Sequence, residues 1–290
     1  MRFDAYLPRN ERQLLLFIAK RKSGVMLFAG GTDVVRAMQR DGMKLQCVVD
    51  ISHLEKLRHI VVRDDIVRVG ALTRISDFKN QNAVENNYKA LREVADSFGG
   101  PSVANMATVG GNICAASSSA DLLPVLLALD ASVILRSLWR ERTAKIQDFL
   151  LKEGKPDLRA GEIVAEVQFE APKTGMFSEF RKIGRRRSLF MATVSVSAFI
   201  DLDLETTKVK RARVAFNALR DRMPGRAELV ESALVEKKLE RKVIEKAISK
   251  LSKEFSAPSD CNASAEYKLE AAKVLLEEQL NHFMEQARGG

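Results

Sequence analysis

Cysteine, histidine and tryptophan are all scarce in this 290-residue chain, and each shortage argues against a class of chemistry. The three cysteines, Cys47, Cys114 and Cys261, are widely scattered and form no C-x-x-C. That argues against a disulfide framework, a structural zinc site and an iron–sulfur cluster held by this chain alone. Of the three histidines, His53 and His59 flank a polar turn with no carboxylate or cysteine at metal-ligand spacing, His282 lies in a charged helix near the C-terminus, and all three read as surface residues. No G-x-S-x-G elbow, H-E-x-x-H or paired-carboxylate signature stands out. With few such side chains, chemistry here would be left to a cofactor. No apolar run approaches the roughly 18–20 residues that span a bilayer. The first residues, Met1 to Tyr6, have no apolar signal-like core, so a cytoplasmic location is the expectation.

Acidic residues are the minority among the charges. There are 38 Asp and Glu against 47 Lys and Arg, a formal net charge of +9. The densest basic run is Arg181-Lys182-Ile183-Gly184-Arg185-Arg186-Arg187. Aromatic residues make up only 6% of the chain and none interleaves with this run, so a base-stacking platform for nucleic acid is not indicated. A basic rim beside an anionic cofactor or partner protein, or a solvated loop, accounts for it. Hydrophobic residues make up 46%, enough for two domains with real cores.

Against these absences stand two glycine-rich turns. The first reads Leu27-Phe28-Ala29-Gly30-Gly31-Thr32-Asp33, the second Ala107-Thr108-Val109-Gly110-Gly111-Asn112-Ile113. Adjacent glycines let the backbone bend freely and leave its N–H groups open to an anion. Two such turns can hold the two halves of a pyrophosphate, which points to a dinucleotide. Neither is a G-x-G-x-x-G fingerprint, and no P-loop lysine follows. In the first turn Asp33, an anion itself, reads as the cap of the following helix. After the second come small residues, Cys114 to Ala120, that permit close approach of a flat or extended ligand. Cys114 reads as a packing residue. Asp121 either accepts bonds from ribose or ribityl hydroxyls or caps the helix 121–129.

Residues 12–20 read as a helix, 25–29 as a strand, 33–40 as a helix ending near Gly42, and 47–51 as a second strand, together a small α/β unit. Residues 60–62 and 66–70 form a hairpin around Asp64-Asp65. Helices follow at 73–78, 88–98 (stopped by Gly99-Gly100-Pro101) and 121–129, with strands at 132–135 and 163–169. A linker at 171–175 precedes strands at 193–200 and 209–216, and helices at 227–239, 242–252 and 267–284.

Several of these segments resemble the FAD-binding medium subunit of the molybdenum hydroxylases, the xanthine dehydrogenase and carbon monoxide dehydrogenase family. They are Ala29–Asp33, Ala107–Ile113, Ser119-Ala120-Asp121-Leu122-Leu123-Pro124, Phe180–Arg185 and Ser264-Ala265-Glu266-Tyr267-Lys268. The resemblance covers essentially the whole chain. It implies an α+β protein: a two-part FAD-binding region of the vanillyl-alcohol-oxidase type over 1–172 (a small α/β lobe to about 55, a larger α+β lobe from 56), then a C-terminal domain, 173–290, with a three-stranded antiparallel sheet and helices. It implies FAD with its pyrophosphate between the two turns, held by Leu27, Phe28, Ala29, Gly30, Gly31, Thr32, Asp33, Thr108, Gly110, Gly111, Asn112 and Asp121. The flavin ring would lie near Ile163, Val164 and Lys182, with Arg185 in the same basic segment. It implies no catalytic side chain and no metal ligand on this chain. Electrons would arrive from [2Fe–2S] clusters of a small partner subunit, fed by a molybdopterin-binding large subunit, and leave to an acceptor such as NAD+.

The chain departs from the family pattern at three places. Ala104 replaces a usual arginine in Ser102-Val103-Ala104-Asn105, Ser117-Ser118 replaces a frequent Ser-Pro, and Leu189-Phe190-Met191 stands where an acidic residue is common. These bear on the acceptor and the flavin edge, not on a pyrophosphate contact. The alternatives are a stand-alone FAD oxidoreductase, for which no convergent acid–base site is visible, and a basic interaction module, which leaves the paired glycine turns unexplained.

Overall fold

The computed structural model describes residues 3–21, 24–40, 46–79, 88–152, 155–184, 192–219 and 223–289. Gly42, Arg185 to Arg187 and Leu189 to Met191 lie outside the described residues.

The first lobe is a parallel sheet of β1 (Asp4–Tyr6), β2 (Val25–Phe28) and β3 (Cys47–Asp50), with β3 in the centre. Parallel strands need crossovers. The helices Glu11–Lys20 and Val34–Arg40 supply them. The first is capped by Asn10, whose side chain accepts from Gln13 N at 3.0 Å. Its Leu14, Leu15 and Ile18 share a face and are buried with Cys47, Val49 and Ile51.

The second sheet is antiparallel and five-stranded. β4 (Ile60–Arg63) and β5 (Ile66–Gly70) form the expected hairpin, with Asp64 and Asp65 both at positive φ, 53° and 58°, as a two-residue turn of matching twist requires. β6 (Ser132–Arg136) and β7 (Glu141–Lys145) form another hairpin. After the short pair β8 (Leu150–Lys152) and β9 (Lys155–Pro156), β10 (Ile163–Glu170) inserts between β5 and β6. A bulge between Val164 and Glu166 breaks strict alternation in β10. As a result Val164, Val167 and Phe169 enter the large core with helices Lys89–Ser97 and Leu122–Ala128, while Ile163 and Ala165 enter the first lobe's core.

The third sheet is antiparallel: β11 (Met176–Ile183), β12 (Val194–Leu202), β13 (Val209–Asn217) and β14 (Gly225–Arg226). Three long strands match the implied sheet, and β14 adds a two-residue fourth at the edge. Both faces are covered. Met176, Phe180, Phe199 and Ala215 join the large core of the preceding region, and Val196, Ala198 and Ile200 pack under helices Glu228–Leu234, Arg241–Ile248 and Ala265–Gly289. Among the described residues no helix is long and apolar enough to cross a membrane.

Candidate functional site

β2 ends at Phe28 and feeds the first glycine turn. Gly31 sits at φ 72°, and a Cβ there would meet the Phe28 ring at 2.7 Å, so the turn is folded over that ring. A Cβ on Gly30 would stand 1.8 Å from the carbonyl oxygen of Met106. The first turn therefore lies directly against the end of helix Pro101–Met106, where the second glycine segment begins. The backbone N–H groups of Gly30, Gly31, Thr32 and Asp33 have no acceptor among the described residues. Asp33 does not cap helix Val34–Arg40; its carboxylate stands 3.9 Å from the Arg36 guanidinium, and both are exposed.

The second glycine segment is a helix, Val109–Ala115, rather than an open turn. Thr108 is its extended N-cap, with Oγ1 accepting from Gly111 N at 3.1 Å. Gly110 N donates to Ala71 O at 2.8 Å and Val109 N to Thr73 O at 2.9 Å. These amides are thus already committed within the protein, so the bare backbone expected of Gly110 and Gly111 is not free to donate. The glycines serve close packing instead. A Cβ on Gly110 would meet Ala71 Cβ at 2.7 Å, and one on Gly111 would meet Thr108 Oγ1 at 2.8 Å. What this segment offers a ligand is Asn112, whose side-chain oxygen is buried with no partner among the described residues.

Between the two segments lies a cavity of about 410 Å³, within the roughly 300–1,000 Å³ of small-molecule sites. Of the expected site residues, Leu27, Ala29, Gly30, Gly31, Thr32 and Asp33 line it from one side, and Thr108, Gly111, Asn112 and Asp121 from the other. Phe28 and Gly110 support its walls without lining it. Ile163 and Val164 do not line it; both are buried in cores. Sequence reasoning missed Arg36, Phe98 and Val103 in the lining, whereas Ala115, Ser117, Ser119 and Ala120 come from the small-residue run expected to approach a ligand. The breaker Gly99-Gly100-Pro101 was the available signal for the Phe98 wall, because it turns helix Lys89–Ser97 back toward the glycine turns.

Lys182 does not line the cavity either, but reaches it through Asp121. Its Nζ donates to Asp121 Oδ2 at 2.6 Å, and both side chains are almost fully buried. Burial raises the Asp121 pKa above the ordinary carboxylate value, and the Lys182 ammonium opposes that rise. Asp121 stands at the start of helix Leu122–Ala128 without capping it, and its Oδ1 has no partner among the described residues. Buried polar atoms are seldom left unsatisfied, so two orphans on residues that line one cavity point to a polar ligand there. Free amides suit a pyrophosphate, and orphaned carboxylate and amide oxygens suit hydroxyl or N–H donors. The donor and acceptor set fits a dinucleotide carrying sugar hydroxyls.

The other candidate groups have structural duties. His53 Nε2 bonds Pro8 O at 2.8 Å, and His282 is not a plain surface residue: its Nδ1 meets the buried Glu179. Arg181 pairs with Glu179 and Glu278, so part of the basic run is matched by acids. Cys114 packs against the large core, and its buried thiol has a pKa pushed up to about 12. No cluster of three or more His, Cys, Asp or Glu able to hold a metal exists among the described residues.

Residues 1–172 match the family described as the FAD binding domain in molybdopterin dehydrogenase, and residues 179–283 match the CO dehydrogenase flavoprotein C-terminal domain. This chain belongs to the FAD-binding medium subunits of the molybdopterin hydroxylases. Among such subunits, it is 28% identical over 272 residues to the glyceraldehyde dehydrogenase medium chain of Sulfolobus acidocaldarius, covering 93% of this chain and 95% of that one. It is 31% identical over 180 residues to the nicotinate dehydrogenase FAD-subunit of Eubacterium barkeri, 61% of each chain. The carbon monoxide dehydrogenase of Hydrogenophaga pseudoflava has the same fold, with a TM-score of 0.90 at 23% identity over 97% of this chain and 96% of that one. The α+β architecture of this chain is thus that of the medium subunits.

Proposed function

We propose that this chain holds FAD in the cavity between the two glycine segments and serves as the electron-transfer flavoprotein of a cytoplasmic molybdenum hydroxylase complex. Its partners would be a [2Fe–2S] small subunit and a molybdopterin-binding large subunit, with NAD+ or another molecule as the terminal acceptor. Neither nucleic acid nor membrane insertion is part of this reading. One observation carries the assignment: Gly30 to Asp33, whose amides have no acceptor among the described residues, line the same cavity as Asn112 and Asp121, each of which has an orphaned side-chain oxygen. Bound FAD would supply exchange of single electrons with clusters and of electron pairs with a nicotinamide.

The protein's own residues have simpler work. The first turn's amides would bind the pyrophosphate, while Gly30 and Gly31 keep side chains out of its path. Asn112 and Asp121 would orient the sugar portions, Asp121 being fixed in place by Lys182. Thr108 stiffens the second segment by capping its helix. None of these groups needs to gain or lose a proton, in keeping with the shortage of histidine.

The test is the visible spectrum of the purified chain, followed by release and mass identification of any bound cofactor. Stoichiometric FAD, with absorption maxima near ~370 and ~450 nm and no iron, is the expected outcome. A protein that stays colourless after incubation with excess FAD, alone and with its partner subunits, would overturn the reading.

A further inference from the structure

On the C-terminal sheet, away from the flavin cavity, four cations gather at an open strand edge. β14 pairs with Ala215 and Phe216 of β13, so among the described residues the stretch Lys210–Arg213 has no neighbouring strand on that side. A cavity of about 490 Å³ fills the gap, lined by Lys210, Arg211, Arg213 and Arg226, with Glu231 as its one acid. The acids nearby are already engaged. Glu231 accepts from Arg226 Nε at 3.0 Å and from Val214 N at 2.9 Å. Arg211 is matched by Glu170 at 2.7 Å and Asp201 at 2.8 Å.

Arg213 is the exception. Its side chain is only 17% exposed, its nearest carboxylate is Asp130 at 3.7 Å, and Asp130 is bound more closely by Lys145 at 2.8 Å. The guanidinium lies 5.3 Å from the centre of the Phe199 ring, and its N–H groups donate to no protein atom among the described residues. Five forked donors, largely buried yet unused, are a poor arrangement unless something else accepts from them. Desolvation, together with the repulsion of Arg211 and Arg226, lowers the Arg213 pKa, although Asp130 and Glu231 oppose this.

We propose that this cavity is an oxyanion site, centred on Arg213 with Arg226 and Lys210 beside it, that takes a phosphate group. The Arg213 fork of N–H donors, with no protein acceptor among the described residues, is flanked by Arg226 and by Lys210, whose Nζ stands as far as 3.5 Å from its own partner Asp203, and such a fork matches the several oxygens of a tetrahedral oxyanion. The group is either free phosphate or the phosphoryl end of a monoester. The site shares no lining residue with the flavin cavity and does not depend on FAD.

The test is a calorimetric titration of the full chain with inorganic phosphate, with chloride adjusted to hold ionic strength constant. A saturable site is expected, weakened about tenfold in Arg213→Gln by loss of charge-assisted hydrogen bonds. Exposed Lys210 contributes less, and Lys210→Gln should weaken binding about threefold. Lys210→Gln also guards against the case in which Arg213→Gln does not fold. Phenyl phosphate distinguishes the sources: tighter binding than inorganic phosphate identifies a monoester, and equal or weaker binding identifies the free ion. No saturable binding to the unaltered chain, or binding undiminished in Lys210→Gln and in a folded Arg213→Gln, overturns the proposal.

Discussion

Gly30 admits no side chain. A methyl group there would collide with the Met106 carbonyl, and that carbonyl belongs to backbone and cannot swing aside. Gly30→Ala should push the first turn off helix Pro101–Met106 and weaken FAD binding by at least about tenfold, some 1.4 kcal/mol, read by fluorescence titration. Retained affinity would mean that the contact between the two segments does not shape the cavity. The Asp121–Lys182 pair allows a second test at this scale. Asp121→Asn removes the carboxylate that the buried Lys182 ammonium donates to, which should cost about 3 kcal/mol in urea unfolding. Adding Lys182→Met should recover part of that loss, because the buried ammonium goes with it. A double variant weaker than the single one would argue that the pair is not energetically coupled in this way.

At the scale of elements, the β6–β7 hairpin is held by an ion cluster. Arg142 donates to both oxygens of Glu162 at 2.9 Å and to Asp157 Oδ2 at 2.9 Å. The Arg142 hydrogen bonds hold the Glu162 pKa below the ordinary glutamate value of 4.5. A depressed carboxyl contributes stability above its unfolded pKa and loses it as pH falls through the folded one. Glu162→Gln should therefore cost about 1–2 kcal/mol at pH 7, with the gap to the unaltered chain closing below pH ~4.5. A gap that stays constant down to pH ~3 would show that the interaction is not a charged one. This hairpin also shows what sequence could not reveal. β2 and the helix after it are readable from an apolar run ending at Gly-Gly, but β7, Glu-Arg-Thr-Ala-Lys, is a charged edge strand with no apolar alternation. β1 is three residues long, too short for any pattern. Gly110 and Gly111 read as a turn because glycine disfavours helix, and the Thr108 cap with the Ala71 contact overrides that preference. The candidate cavity was half readable: both glycine segments, the small residues after the second and Asp121 were, whereas Arg36 and Val103 reach it only through the folding of the chain.

Over the whole molecule, the large core does not stop where the C-terminal sheet begins. Met176, Phe180, Phe199 and Ala215 are buried in the same cluster as Leu91, Val94 and Leu123. A fragment of residues 1–172 would expose the surface those side chains cover. It should aggregate or elute as oligomers in size-exclusion chromatography, whereas the full chain should not. A monodisperse, monomeric fragment would show that the core closes without the C-terminal sheet.

The Asp121–Lys182 bond joins residues 61 positions apart across that same junction. A ribosome releases the chain from its N-terminus, so both glycine segments emerge well before the lysine that fixes the aspartate between them. The cavity then has its walls before it has its floor. A growing polypeptide can offer the unspent amides of the first turn early, but it cannot present Asp121 in its final position until β11 has been made and paired. Firm retention of a cofactor would then report that synthesis has passed the third sheet, making cofactor loading a late event in the life of the nascent subunit.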